Sequence, residues 1–143
     1  MPCGIDVSVR CPAGLTITTR RAELQQVLLN LLLNAREALL AKDGPRRIEL
    51  AAERQGRRIN IRVGDTGVGV APEDLSRIFQ PFFTTRNSRD GDAGGSGLGL
   101  TISREIVTSL GGEILVHSAQ GEGTTFTIRL PLSAKPASRP GGR

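Results

Sequence analysis

The feature that most constrains the fold is a change of apolar period along the chain. Between Ala22 and Ala41, apolar side chains recur every three or four residues, as on one face of a helix. This stripe consists of Leu24, Val27, Leu28, Leu31, Leu32, Ala35 and Leu39. On both sides of it, apolar and polar residues alternate as in strands with one buried face. The pattern predicts a sheet with a long helix packed on it.

Six short segments show the alternation expected of strands. They are residues 5–11, 15–19, 47–53, 58–63, 113–118 and 124–132. We expect the first two to form a strand pair joined by a turn at Pro12–Gly14. A short helix is predicted from Pro72 and a second long helix over 98–110. The outline is an α+β two-layer sandwich, with a mixed sheet of about five strands and its helices on one face.

Length and charge predict one domain, residues 1–132, without a nucleic-acid role. The 143 residues suffice for a buried core. The net charge of +5 is partly local, because three of the 19 basic side chains lie in the Pro- and Gly-rich stretch 133–143. We predict that stretch to be a disordered tail or linker. The chain has no Trp or Tyr to stack on nucleic-acid bases.

Membrane and secretion signals are not evident in the sequence. The apolar runs are too short for a transmembrane helix, and the N-terminus has no signal-peptide pattern. Cys3 and Cys11 are too few for a disulfide framework, and neither has a metal-ligand partner at the usual spacing. We therefore expect a cytoplasmic domain with reduced cysteines and no membrane contact.

The segment DTGVG at 65–69 places one carboxylate, Asp65, between a strand-like run and two glycines. Asp and Gly are common in turns, so a hairpin turn is one interpretation. A binding loop is the other, because glycine permits close approach of a ligand and the carboxylate can accept hydrogen bonds. These residues alone leave both interpretations open.

Two asparagines border the apolar stripe of the long helix, and Glu23 and Glu37 lie on the same side. Asn30 and Asn34 are poor helix formers, which suggests that their carbonyl oxygens have a use. Such oxygens are ligands that Mg²⁺ accepts beside water and phosphate. A pair of surface asparagines is the alternative.

A glycine-rich stretch, GGSGLGL at 94–100, opens the last helix. Exposed N–H groups at a helix start can bind an anion, although a plain hinge is also compatible with the composition. The stretch lacks the Lys and Ser/Thr of a P-loop and does not follow a strand as a dinucleotide fingerprint does. The polar segment 84–97 before the helix is predicted to be a mobile loop. Together, a base acceptor, a metal ligand and a phosphate cradle describe an ATP site.

Five motifs in order make the chain resemble the catalytic ATP-binding domain of bacterial sensor histidine kinases. They are NLLLNA (30–35), DTGVG (65–69), FQPFFTTR (79–86), GSGLGL (95–100) and GEGTTFTIRLP (121–131), which look like the N, G1, F, G2 and G3 boxes. The resemblance covers about residues 5–132 and is strongest to the nitrogen-regulation and dicarboxylate-sensing branch. It implies the Bergerat fold, shared with type II topoisomerases and mismatch-repair ATPases.

The resemblance implies a role for each motif residue. Asp65 would bond the adenine amino group, Gly67 and Gly69 would let the base lie against the loop, and Thr124 would line the adenine end. Asn34 would coordinate Mg²⁺, and Asn30 would support it or contact phosphate. The resemblance therefore predicts ATP and Mg²⁺ as ligands.

The phosphate end is predicted from the same resemblance. Residues 84–97 would be a lid over the triphosphate, and Arg86 at its start would contact phosphate. The helix start would cradle phosphates through Gly95, Gly97, Leu98 and Gly99. The three phenylalanines of the F box would anchor the stem of the lid in the core rather than touch ligand. They are Phe79, Phe82 and Phe83.

Two positions depart from related patterns. Glu37 stands where many members have a Lys or Arg directed at phosphate. Asn30 stands where ATP-hydrolysing relatives have a Glu that activates water, and an amide cannot take up that proton. The site is therefore predicted to pass γ-phosphate to an external nucleophile, with Asn30, Asn34 and Arg86 as its catalytic residues.

The nucleophile is predicted to lie outside this chain. The only histidine, His117, alternates with Leu115 in a strand pattern and lacks the context of a phosphoacceptor helix. The expected partners are the dimerisation domain with the phosphoacceptor His and the receiver domain of a response regulator. A serine kinase of the anti-sigma-factor type and a nucleotide-sensing module of a degenerate kinase are the alternatives, and Glu37 supports the latter.

Overall fold

The computed structural model describes residues 4–15, 17–80 and 99–132. Their elements are β1 (Asp6–Arg10), α1 (Arg21–Leu40), β2 (Arg47–Gln55), β3 (Arg58–Asp65), a 3-10 helix (Pro72–Asp74), α2 (Gly99–Ser109), β4 (Glu113–Ala119) and β5 (Gly123–Pro131). One five-stranded sheet has the order β1-β2-β3-β5-β4. β1 is parallel to β2, and all other neighbours are antiparallel. No helix within the described residues is long and apolar enough to cross a membrane.

Both helices lie on one face of the sheet. α1 contacts β3 and β5, α2 contacts β4, and the two helices contact each other. The predicted apolar stripe of α1 faces the sheet, and Val27 and Leu31 are fully buried. Across from them, Val63 on β3 is the register neighbour of Phe126 on β5, and both are buried. The predicted α+β two-layer sandwich is therefore confirmed.

The opposite face of the sheet is polar. Arg62 on β3 pairs with Glu53 on β2 at 3.2 Å, and Arg129 on β5 pairs with Glu113 on β4 at 3.3 Å. Exposed pairs of this kind add little stability, about 0–1 kcal/mol each. The sheet is therefore stabilised mainly by the apolar side chains buried between it and the helices. The alternation of apolar and polar residues in the sequence reflects this burial of one face only.

The predicted strand pair at the N-terminus is wrong. β1 runs parallel to β2, with Val7 beside Ile48 and Val9 beside Leu50. Over 15–19, where position 16 lies outside the described residues, the structure has no strand. Thr18 instead donates its backbone N–H to the carbonyl of Leu132 at 3.0 Å, beyond the end of β5. Local alternation predicted the strand character of β1 correctly but not its partner.

Candidate functional site

Asp65 is the last residue of β3, and its side chain is buried. Its register neighbours are Ile48 on β2 and Thr124 on β5. The carboxylate oxygen Oδ1 accepts a hydrogen bond from the N–H of Gly67 at 2.8 Å. This short bond fixes the orientation of the carboxylate at the edge of the core. The chain then continues to the 3-10 helix rather than to a pairing strand, so the segment is not a hairpin turn.

The loop after Asp65, residues 66–70, is clamped between α1 and the turn that joins β4 to β5. Val68 donates its N–H to the carbonyl of Ala38 on α1 at 3.3 Å, and its own carbonyl accepts from the N–H of Gly121 at 2.7 Å. A Cβ at Gly67 would lie 2.6 Å from the carbonyl carbon of Ala38. Only glycine allows the loop to pack this closely.

Gly69 meets the same restriction on the other side of the loop. Its φ is +74°, and a Cβ there would lie 2.2 Å from the carbonyl oxygen of Ala119. The space that a side chain would need at Gly67 and Gly69 is thus filled by the protein's own backbone. Close packing of the loop explains both glycines, and their predicted role beside the adenine base stays a prediction.

Thr124 belongs to a partly buried hydroxyl network beside Asp65. Its Oγ lies 2.9 Å from the Oγ of Ser118. Ser118 accepts from the N–H of Val70 at 2.7 Å and lies 2.9 Å from the carbonyl of Gly123, to which its hydroxyl donates. Because Ser118 uses its single proton on that carbonyl, Thr124 donates to Ser118 and keeps its oxygen as an acceptor. The alternation of β4 places Ser118 inward, yet the sequence motifs gave it no role.

Asn30 joins α1 to the start of α2. Its side-chain amide nitrogen lies 3.2 Å from the Oγ of Ser103 and 3.4 Å from the carbonyl of Gly99. Ser103 has no exposed surface. A Cβ at Gly99 would lie 3.9 Å from the amide carbon of Asn30. The N–H groups of Asn30 therefore hold Gly99, the first described residue of α2, and Ser103 against α1.

Asn34 lies one turn further along α1 and differs from Asn30. Its side chain is half-buried. Among residues 4–15, 17–80 and 99–132, its amide has no hydrogen-bond partner, whereas the amide of Asn30 has two. Asn30, Asn34 and Ala38 follow one line on α1, from the start of α2 to the loop that contains Asp65.

Phe79 anchors the end of the second described segment in the core, as predicted. Its ring packs edge to face on Phe126, with centroids 6.3 Å apart, and the guanidinium of Arg104 lies 5.2 Å above it. The hydroxyl of Thr101 on α2 donates to the carbonyl of Phe79 at 2.8 Å. The remaining predicted residues at this end lie outside the described residues. They are Phe82, Phe83, Arg86, Gly95, Gly97 and Leu98, with the rest of the 84–97 loop and the 133–143 tail.

His117 lies on the opposite face of the sheet from the site. It is exposed on β4, where its register neighbour is Thr125. Val116 and Ser118 face the helices, so His117 points from the opposite, polar face of the sheet. This position agrees with its prediction as a strand residue.

The ATPase family model for histidine kinase-, DNA gyrase B- and HSP90-like ATPases matches residues 19–134. The two-component sensor PprA of Pseudomonas aeruginosa is 41% identical over 135 residues, which are 90% of this chain and 14% of PprA. The sensor histidine kinase ZraS of Escherichia coli is 40% identical over 90% of this chain and 26% of ZraS. The chain thus spans less than a third of the length of these curated relatives.

Solved structures show the same fold. The catalytic domain of histidine kinase ThkA superimposes with a TM-score of 0.77 at 29% identity, over 92% of this chain and 83% of that one. Full-length ShkA in complex with AMPPNP superimposes with a TM-score of 0.73 at 28% identity, over 94% of this chain and 27% of the ShkA chain. The predicted Bergerat fold is therefore confirmed.

The narrower resemblance to nitrogen-regulation and dicarboxylate sensors stays a prediction, because none of these relatives is named for either role. The family model, the sensor relatives and the shared fold agree on a broader assignment. The chain belongs to the histidine kinase-, DNA gyrase B- and HSP90-like ATPase family, as a catalytic ATP-binding domain of the sensor histidine kinase type.

Proposed function

We propose that this domain binds Mg·ATP between α1, the start of α2 and the Asp65 loop, and presents the γ-phosphate to a histidine on another domain. The observation that carries the proposal is the line of Asn30, Asn34 and Ala38 on α1. Its two ends contact the start of α2 and the loop after Asp65. At about 1.5 Å of rise per residue, the line spans ~12 Å, which suits a ligand with a base at one end and phosphates at the other.

The adenine end is assigned to Asp65 and Thr124. A carboxylate only accepts hydrogen bonds, so it favours the exocyclic amine of adenine over the carbonyl oxygen that guanine has at the same place. The bond from the N–H of Gly67 to Oδ1 supports this role, because it orients the carboxylate before the base arrives.

The metal is assigned to Asn34. Its half-buried amide has no other partner in the described part of the chain. One protein oxygen beside phosphates and water suits Mg²⁺, which keeps several waters and seldom takes an all-protein cage. Bound there, Mg²⁺ would neutralise charge on the transferred phosphoryl group.

Transfer to a histidine, rather than to water, is supported by Asn30. Its amide cannot act as a general base, and its N–H groups are committed to Ser103 and Gly99. The phosphate contacts are assigned to the N–H groups at the start of α2, including Gly99, and to the side chain of Arg86.

The relatives supply the partners of this proposal. PprA is a two-component sensor and ZraS a sensor histidine kinase. By analogy, the acceptor is a dimerisation domain that carries the phosphoacceptor His, and the phosphoryl group then passes to a response regulator in the cytosol. ShkA was solved with AMPPNP, an ATP analogue, which supports a nucleoside triphosphate as the ligand.

Glu37 favours a second candidate, a module that binds nucleotide without transferring phosphate. It lies one turn from Asn34 on the same flank of α1, where a basic residue would be expected to meet phosphate. An acid there weakens the binding of a polyanion unless the metal offsets its charge.

The test mixes the chain with a dimerisation segment bearing the phosphoacceptor His and with γ-labelled Mg·ATP. We expect acid-labile label on the histidine segment, and no label with the Asn34→Ala variant. Acid-stable label would indicate a serine kinase, and free phosphate an ATPase. Nucleotide binding without any label would support the non-catalytic module and contradict the proposal.

A further inference from the structure

Lys42 joins three parts of the site with a single side chain. It lies two residues after the last residue of α1, and its Nζ lies 3.2 Å from the carbonyl oxygen of Thr66 and 2.8 Å from that of Gly121. Thr66 is the residue after Asp65, and Gly121 lies in the turn between β4 and β5. The ammonium therefore connects α1, the Asp65 loop and this turn.

The ammonium donates to carbonyl oxygens and not to an acid. Within residues 4–15, 17–80 and 99–132, Lys42 forms no ion pair. The side chain is half-buried. Hydrogen bonds from a charged donor are stronger than those between neutral groups, and the bond to Thr66 is partly buried, so Lys42 contributes to holding the loop in place.

Thr66 is held at each of its polar groups. Its N–H donates to the carbonyl of Arg47 at 3.2 Å, and its hydroxyl donates to the carbonyl of Pro45 at 3.1 Å. Lys42 binds the remaining group, the carbonyl oxygen. These contacts fix the backbone on the C-terminal side of Asp65. They therefore also fix the position of the backbone atom from which the Asp65 side chain extends.

We propose that Lys42 is a positioning residue for the adenine end of the site. It does not touch the nucleotide. It holds the carbonyl of Thr66 against the β4–β5 turn and thereby keeps the carboxylate of Asp65 in the orientation that distinguishes adenine from guanine. The proposal rests on the proposed function, since it assumes that Asp65 meets the base.

The consequence is confined to recognition of the base. Asn34 lies six residues, about 9 Å, before the last residue of α1, and Lys42 lies beyond that end, so the metal and phosphate end should be unaffected. Loosening the loop should weaken ADP binding about tenfold, which is roughly the effect of losing one good hydrogen bond. The affinity for GDP should change little, because guanine has a carbonyl oxygen where adenine has the amine that Asp65 would meet. The ratio of the two affinities therefore reports on positioning rather than on general damage.

The test measures dissociation constants of the full 143-residue chain for ADP and GDP by calorimetry. Lys42→Ala and Lys42→Met should each lose about tenfold for ADP and narrow the preference over GDP. Lys42→Arg should restore both the ADP affinity and the preference for ADP over GDP, because a guanidinium can donate to two carbonyls. Arg54→Ala is the matched control. Arg54 donates to the carbonyl of Gly56 at 3.0 Å in the distant β2–β3 turn, so its removal should leave both constants unchanged.

An unchanged preference for ADP in Lys42→Ala would overturn the proposal. Equal losses of affinity for ADP and GDP that Lys42→Arg does not restore would also overturn the proposal, because they would indicate that Lys42 has a structural role only. If the wild-type chain binds neither nucleotide, the proposed function fails instead. Hydrogen exchange then still tests the clamp, because Lys42→Ala should speed exchange at the hydrogen-bonded N–H groups of Thr66 and Val68 without any ligand, and unaltered exchange would overturn it.

Discussion

The side-chain amide of Asn30 on α1 donates a hydrogen bond to the hydroxyl of Ser103 on α2, whose surface is wholly buried. The same amide reaches the carbonyl of Gly99, where α2 begins. A polar pair in this place fixes how far α2 is shifted along its axis relative to α1. It therefore also fixes the position of the start of α2, which we assign to phosphate binding. Apolar packing alone would leave this axial position of α2 less well defined.

Removing the hydroxyl should therefore loosen α2. We expect Ser103→Ala to lower the free energy of unfolding by about 1 kcal/mol, the usual net value of a buried hydrogen bond. For a domain of this size, that lowers Tm by about 3 °C. Thermal unfolding followed by circular dichroism measures the change, and Ser76→Ala, at an exposed serine, is the control. Equal melting of the two variants would show that the Asn30–Ser103 bond contributes nothing.

Asp65→Asn separates the folding role of this side chain from its binding role. The asparagine can still present an oxygen to the N–H of Gly67, so the unfolding free energy should fall by less than about 1 kcal/mol. That orientation leaves its NH₂ group in place of the second carboxylate oxygen, facing the adenine amine. We expect ADP binding to weaken by roughly 10- to 100-fold. Calorimetry with undiminished ADP affinity would remove Asp65 from the adenine site.

Asn34→Ala tests the metal assignment. Binding of Mg·ATP and phosphotransfer to a supplied histidine segment should both fall, because the lost oxygen belongs to the Mg²⁺ shell. Binding of ATP in the presence of EDTA should change less. Gln26→Ala is the matched control, since it removes an exposed amide from the same helix. A variant that transfers phosphate at the wild-type rate would make Asn34 an ordinary surface residue of α1.

Local pattern predicted the helices well and strand pairing poorly. The apolar stripe placed α1 within one residue of its observed bounds, because a period of 3.6 sustained over five turns is distinctive of a helix. The same reasoning gave β1 its strand character but the wrong neighbour. β1 pairs with β2 across the whole of α1, and a parallel partner needs such a crossover. Nothing in residues 5–19 encodes that choice.

The residues of the site show the same contrast between local pattern and distant contacts. Asp65 and Asn34 are candidates from the sequence, because glycines or helix position mark them locally and the motif resemblance suggests a role for each, and those roles stay predictions. Lys42 and Ser103 were missed, because their significance lies in contacts to residues 24 and 73 positions away. A lysine after a helix and a serine within one have no distinctive local signature. Only the assembled fold shows which carbonyl or amide they meet.

Gly69 and Gly14 allow the cost of a clash to be separated from the cost of backbone strain. Their φ values are similar, +74° and +82°, but a Cβ at Gly69 would lie 2.2 Å from the carbonyl oxygen of Ala119, whereas nothing lies within 4 Å at Gly14. Gly14→Ala should therefore cost only the strain of a left-handed residue, about 1–2 kcal/mol. Gly69→Ala should cost about 2–5 kcal/mol, because displacement of the loop adds to that strain.

Urea unfolding of the two glycine variants gives both free energies, and ADP calorimetry gives the functional effect. Gly69→Ala moves the loop away from the β4–β5 turn and with it the carboxylate of Asp65, so ADP affinity should fall by about tenfold or more. Gly14→Ala should retain full affinity, since Gly14 lies in the segment between β1 and α1. Equal unfolding energies together with equal ADP affinities would mean that the loop can shift freely, and the view of it as a rigid, clamped binding loop would then be wrong.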